Sequence, residues 1–206
     1  MAVRGRPRAF DVESALDRAV EVFWRSGYQG ASMSELTQAM GINRPSLYAA
    51  FGGKEDLFRK AVARYAEVEM AYAREALERP TAHEVAETLL RGQVDALTQP
   101  GRPAGCLSIQ GGVSCSTANA GIAELLAASR LAGEAALAQR FARAVEEGDL
   151  PEGTDPAALA RFLHVVQEGQ AVHAAAGVSR ELLAESAEFA LRALPVARRE
   201  PAGVTS

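Results

Sequence analysis

Apolar residues recur at three- and four-residue steps along nearly the whole chain, and no period-two run of β-branched residues interrupts them. That spacing predicts helix after helix and no sheet. The first helix spans about Val12 to Ser26, with Ala15, Ala19, Val22 and Phe23 in one stripe, Asp11 as N-cap and Gly27 as its end. The second starts at Ser32, which has the spacing of a capping box with Glu35, and it ends at Gly41 after Leu36, Ala39 and Met40. The third takes Asn43 as N-cap, carries Pro45 in its first turn and runs to about Phe51. Gly52-Gly53 breaks the chain, and a fourth helix follows from Lys54 to about Glu78, roughly 37 Å at 1.5 Å per residue. Pro80 stops it.

Thr81 and Glu84 form a second capping box, opening a fifth helix to about Thr98 with Val85, Leu89, Leu90, Val94 and Leu97 inward. A loop from Pro100 to Gly105 leads into a short, glycine-interrupted helix at about Cys106 to Val113, and a long helix covers about Ala118 to Glu147. Asp155 and Pro156 begin the eighth helix, to about Ala176, and Ser179 caps the ninth, which Pro195 terminates. The expected fold is therefore all-α with nine helices. The last two carry Leu159, Leu163, Val166, Leu182, Leu183 and Phe189, with Gln170 and the small Ala174 among them. Such faces are expected to form a four-helix bundle with a second copy, making a homodimer.

The most informative stretch is 32–54, SMSELTQAMGINRPSLYAAFGGK. Two short helices joined by a turn on Gly41 have the form of a helix-turn-helix, whose second helix enters the major groove. An ordinary αα-hairpin has the same spacing, and the polar content separates the two. Arg44, Ser46 and Tyr48 cluster at the start of the third helix. Arginine can read guanine with two parallel hydrogen bonds, serine can bond to base or phosphate, and tyrosine to phosphate. Ala49 and Ala50 leave room for close approach.

On these residues the stretch from about Ala9 to Leu57 resembles the DNA-binding domain of the TetR/AcrR family of bacterial regulators. The matching pieces are W-R-S-G-Y followed by G-A-S, then S-M-S-E-L, G-I-N-R-P-S-L-Y-A-A-F and G-G-K-E-D-L. The resemblance implies a homodimer on a near-palindromic double-stranded DNA operator, released by a small-molecule effector. It puts Arg44, Pro45, Ser46 and Tyr48 on the DNA-contacting helix. Ser32 falls at the helix start that meets the backbone, and Lys54 at a phosphate-contacting lysine. It also divides the chain into a three-helix head, 1–53, and a six-helix ligand-binding and dimerisation domain, 54–206. Gly53 stands where the family carries Ser or Thr, so no hydroxyl is offered to phosphate there. The arm Arg4-Gly5-Arg6-Pro7-Arg8 has an R-G-R-P core similar to AT-hook peptides. Insertion of Arg4, Arg6 and Arg8 into a narrow minor groove and a plain solvated basic arm both fit it.

Composition narrows the class. The 206 residues are 48% apolar and 23% charged, the balance of a soluble globular protein. Net charge is −4, yet residues 1–60 hold 9 basic and 7 acidic side chains against 13 and 19 in the remainder, which points a polyanion to the head. Residues 103–123 are uncharged but too rich in Gly, Ser, Asn and Gln to span a bilayer, and no apolar segment follows the basic start. A cytoplasmic protein without membrane association is expected.

The middle helices gather Tyr65, Met70, Leu89, Val94, Leu97, Cys106, Ile109, Leu126, Phe141 and His164, which suits a mostly apolar effector with one or two polar groups. Cys106 and Cys115, nine residues apart, face opposite ways on a helix and neither chelate nor bridge. Cys106 fits a thiol that senses electrophiles as well as a small buried residue. His83, His164 and His173 lack the spacing of zinc ligands, and neither metal nor cofactor is expected. No catalytic motif is present, so an enzyme is not expected. The rival classes are a DNA-organising protein without ligand and a Cys106-dependent acyl-transfer enzyme.

Overall fold

The computed structural model describes residues 10–113 and 119–195, and their secondary structure is entirely helical. Ten helices succeed one another: α1 Val12–Gly30, α2 Met33–Met40, α3 Arg44–Phe51, α4 Lys54–Val68, α5 Ala71–Leu77, α6 Ala82–Leu97, α7 Leu107–Val113, α8 Ala120–Glu146, α9 Pro156–Ala175 and α10 Arg180–Arg192. The tenth arises because the expected fourth helix is two. α4 stops at Val68 and α5 restarts at Ala71, with Met70 at φ −106°, ψ 23° and no side-chain cap between them. No glycine or proline marks this break. It falls where the chain leaves one packing unit for another, and Glu69 is held there by Arg102 at 2.6 Å.

The first unit comprises residues 10–68 with 107–113 and 119–126. Within it α1 packs on α2, α4 and α7. Phe23, Leu36, Leu47, Leu57 and Phe58 are fully buried. Phe23 and Tyr28 each meet Phe58 near edge-on, at 5.0 and 5.2 Å, and Trp24 meets Tyr65 at 4.8 Å, the geometry that ring quadrupoles favour. Gly27, at φ 65°, ψ 178°, ends regular α1 geometry after Ser26, as its sequence position predicts. The Arg64 guanidinium of α4 donates to both Asp17 oxygens on α1, at 2.8 and 3.4 Å.

The second unit comprises residues 69–106 and 127–195. α6 is central to it, packing on α5, α9 and α10. Its complete capping box joins Thr81 and Glu84. Gly92 lets α5 come close: a Cβ there would lie 2.7 Å from that of Tyr72. A polar seam crosses this largely apolar interior. The Gln93 amide donates to the Gln167 carbonyl and accepts from the Gln167 amide, both at 2.6 Å, and the Tyr72 hydroxyl approaches Gln93 at 3.5 Å. Burial pushes the Tyr72 phenol well above its ordinary pKa. At the α5–α6 corner the buried Arg140 donates to the carbonyls of Arg79 and Pro80, each at 2.8 Å, while Asp149 accepts from the Ala82 N–H. Arg140 thus satisfies two carbonyls of the linker between the helices, and Asp149 an N–H of the first turn of α6. Among the described residues no helix is long and apolar enough to cross a membrane.

Candidate nucleic-acid interface

The head is built by caps. Ser32 Oγ accepts from the Glu35 N–H at 3.1 Å and starts α2. Gly41, left-handed at φ 67°, ends it, and the N–H of Ile42 returns to the Thr37 carbonyl at 3.1 Å. Asn43 then caps α3, its side-chain oxygen accepting from the Ser46 N–H at 2.9 Å, with Pro45 in the first turn. The turn between the two helices is thus three residues long. Leu36, Met40, Leu47 and Phe51 are buried and fix both helices to the core of the first unit.

The opposite side of α3 is open. Arg44, Pro45, Tyr48 and Ala49 are exposed and Ser46 is half-buried. Tyr48 keeps 55% of its surface accessible, although it is a large aromatic residue in a well-packed head. Arg44 and Tyr48 are four residues apart and stand on one face at the N-terminal end of the helix. Among the described residues Arg44, Pro45, Tyr48 and Ala49 stay exposed on that side.

At the end of α3 the chain turns sharply through Gly52, at φ 84°. A Cβ on Gly52 would lie 2.4 Å from Asp56 Oδ2. That same oxygen accepts from the Gly53 N–H at 3.2 Å, supplying half of a capping box where Gly53 offers no hydroxyl. Lys54, first residue of α4, sets its ammonium 4.6 Å from the centre of the Tyr28 ring. Partial burial lowers its pKa from the ordinary lysine value. Ser32 is exposed at the start of α2. Arg4, Arg6 and Arg8 lie outside the described residues, as does Cys115. Sequence reasoning passed over Lys60 and Asp56. Asp56 sits at the third-residue position of a helix start whose capping residue is glycine, which is a weak local signal, whereas the partner of Lys60 is nine residues away and no local motif marks it.

The expected effector residues fall in both units. Tyr65 and Leu126 are buried in the first and Ile109 is half-buried there. Leu89, Val94, Leu97, Cys106 and Phe141 are buried in the second, with Met70 and His164 half-buried. His164 lies flush on α8, where a Cβ at Gly133 would be 3.4 Å from its ring.

The expected partner-facing residues also divide. Leu159, Leu163, Leu183 and Ala174 are buried inside the second unit, with Gln170. Gln170 donates to the Leu183 carbonyl and to Ser186 Oγ, at 3.2 and 3.1 Å. Leu182 and Phe189 are exposed, and so are Phe162, Val165 and Val172, which the sequence reading left out of the interface. Between α9 and α10 runs a groove of about 720 Å³, lined by Phe162, Val165, Val166, Leu182, Phe189 and their neighbours.

A capped two-helix turn whose second helix offers an unpaired arginine–tyrosine face, joined to a separate helical unit, defines a helix-turn-helix DNA-binding protein. Comparison with known proteins names the lineage. Residues 15–61 match the model of bacterial regulatory proteins of the tetR family, and residues 82–188 match the tetracyclin repressor-like C-terminal domain. The HTH-type transcriptional repressor ComR of Escherichia coli K12 is 33% identical over 195 residues, 93% of this chain and 92% of that protein. The repressor BdcR of the same organism is 37% identical over 111 residues, 53% of this chain and 56% of its own. Among solved structures, a cysteine mutant of the TetR family regulator CifR in complex with 26-base-pair operator DNA superposes with a TM-score of 0.88 at 42% identity, covering 92% of this chain and 100% of that one. The chain belongs to the TetR family and is a DNA-binding transcriptional regulator.

Proposed function

We propose that the protein is a homodimeric repressor that sets α3 of each copy into successive major grooves of a near-palindromic operator, and that a small, mostly apolar ligand releases it. The observation that carries this reading is the open Arg44–Tyr48 face at the N-terminal end of α3, backed by a core that fixes the helix. CifR, similar over nearly the whole chain, is solved with operator DNA, and ComR and BdcR are repressors, which supports the same direction of control. Lys54 and Ser32, at two helix starts, are suited to phosphate. The arm with Arg4, Arg6 and Arg8 adds positive charge next to α1. The α9–α10 groove, apolar and continuous, suits a second copy of the chain.

The effector would enter the second unit, whose interior is largely apolar, with the Tyr72–Gln93–Gln167 seam crossing it and Arg140 and Gln170 also buried. It acts by binding more tightly to the state with lower operator affinity.

Arg44→Ala tests the reading of sequence. The expected loss is about 1–3 kcal/mol on a duplex selected by the wild-type protein and little on a scrambled duplex, because a guanidinium reads one guanine through two bonds. Competition binding at one salt concentration measures both. Equal losses on the two duplexes would make Arg44 a phosphate contact and not a reader of bases.

A further inference from the structure

We propose that Lys60 is a positioning residue for operator recognition: its ammonium clamps the carbonyl end of α3 and thereby sets the angle at which Arg44 and Tyr48 are presented, without touching DNA itself. The proposal rests on the reading of α3 as the DNA-reading helix.

Lys60 Nζ donates to the Phe51 carbonyl at 2.8 Å, from nine residues further along the chain. Phe51 is the last residue of α3, and its carbonyl has no acceptor role within the helix. A cation at that end also opposes the negative pole of the helix dipole. The ammonium also lies 6.0 Å from the centre of the ring of Phe51, the residue that anchors α3 in the core, at the outer limit of a cation–π contact. The turn between is short and constrained. Gly52 is left-handed, and Asp56 Oδ2 holds the Gly53 N–H. Asp56 and Lys60 are one turn apart on α4, and together they grip both sides of the α3–α4 junction. α3 has only eight residues, and its N-terminal end depends on Asn43 for its cap. Leu47 and Phe51 fix the buried side of this short helix, and the charge-assisted bond at its far end adds a restraint on its tilt that its loss would pass to the residues at its tip.

The bland alternative is a surface lysine that binds phosphate. The two differ in what they do to salt dependence and to discrimination. Operator binding by full-length Lys60→Met should weaken about tenfold, the scale of a lost charge-assisted hydrogen bond at partial exposure, while binding to a scrambled duplex changes less than about twofold. The slope of log affinity against log salt should stay at the wild-type value. Lys60→Arg, which can still donate to the carbonyl, should recover most of the discrimination. A slope lower by about 1 per subunit with equal losses on both duplexes would overturn the proposal in favour of a phosphate contact. So would wild-type discrimination in Lys60→Met. If Lys60→Met lowers the melting temperature, Lys60→Gln is read by the same two measurements. A wild-type protein that binds selected and scrambled duplexes alike would instead remove the α3 reading, and this proposal with it.

Discussion

Phe189 gives the sharpest test of the proposed dimer. It stands on α10 with 69% of its surface accessible, beside Leu182 at 56%, and across the groove from Val165 at 62%. Full burial of a Phe or Leu side chain stabilises by about 1.5–3 kcal/mol, so covering the accessible part of Phe189 contributes about 1–2 kcal/mol per copy. A twofold interface counts each residue twice, which makes the loss in Phe189→Ala about 2–4 kcal/mol per dimer. At 1.4 kcal/mol per decade the dimer dissociation constant should rise about 30- to 1000-fold. The contact of the Arg192 guanidinium with the ring, centred at 4.4 Å, lies within one chain, so its loss falls on monomer and dimer alike and does not enter this figure. Sedimentation velocity over nanomolar to micromolar protein is the assay, with the wild type expected at twice the 21.8 kDa chain mass. Because Phe189 contributes little to the core of its own chain, the melting temperature of the separated monomer should barely move. A wild type that is monomeric at micromolar concentration would refute the reasoning. So would a Phe189→Ala dimer as tight as the wild type.

Two further outcomes follow from groups whose environments are unusual. Lys54→Ala should weaken binding to selected and scrambled duplexes alike and lower the salt slope by about 1 per subunit in filter-binding titrations, since a phosphate contact carries no sequence information. An unchanged slope would remove Lys54 from the backbone-contacting set. Tyr72 bears on alkaline stability. Burial raises its pKa above the unfolded value of 10.0, so the folded chain holds that proton more tightly. The stability this contributes is present below about pH 10 and is lost as pH rises beyond it. Thermal melts of Tyr72→Phe between pH 9 and about pH 11 should therefore fall less steeply than those of the wild type, and parallel profiles would contradict the assignment.

What the sequence discloses here depends on the range over which each feature is decided. The caps were readable because a cap is settled within three residues. Asp11, Ser32, Asn43, Thr81, Asp155 and Ser179 each accept the backbone N–H that their positions foretold. The same holds for the helix-turn-helix and for the exposed run Arg44, Pro45, Tyr48. The break at Glu69–Met70 has no glycine, proline or side-chain cap to mark it, and it coincides with the passage of the chain from one packing unit to the other. On α9 periodicity fails for another reason. Leu159 and Leu163 are buried while Phe162, Val165 and Val172 are exposed, so the helix is apolar on nearly every side. A helix of that kind has no single stripe from which an interface can be chosen, and only the packing of its own chain shows which side is left over. The Gln93–Gln167 pair joins residues 74 apart and is invisible to any local pattern.

The distribution of basic side chains in the head supports the separate roles given to its two lysines. Of the 22 basic residues in the chain only Lys54 and Lys60 are lysine, and both are on α4. Three arginines of α1 and α4 are occupied differently: Arg25 pairs with Glu21, Arg59 with Glu55, and Arg64 with Asp17, in each case a guanidinium facing a carboxylate. A planar fork is matched to two oxygens, whereas the Phe51 carbonyl offers one, in a tight turn beside an aromatic ring. A compact ammonium on a flexible stem reaches that single acceptor and, on an exposed residue, turns its remaining N–H groups to solvent. Lys54, stacked on Tyr28 with its ammonium at the head of the same helix, has no carboxylate within ion-pairing distance among the described contacts, and its charge is available to a partner. Among the described contacts Arg18 on α1 and Arg44 on α3 have no carboxylate partner, and of the two Arg44 stands on the exposed face of α3, so under the proposed reading its fork is left for the two acceptors of a guanine edge.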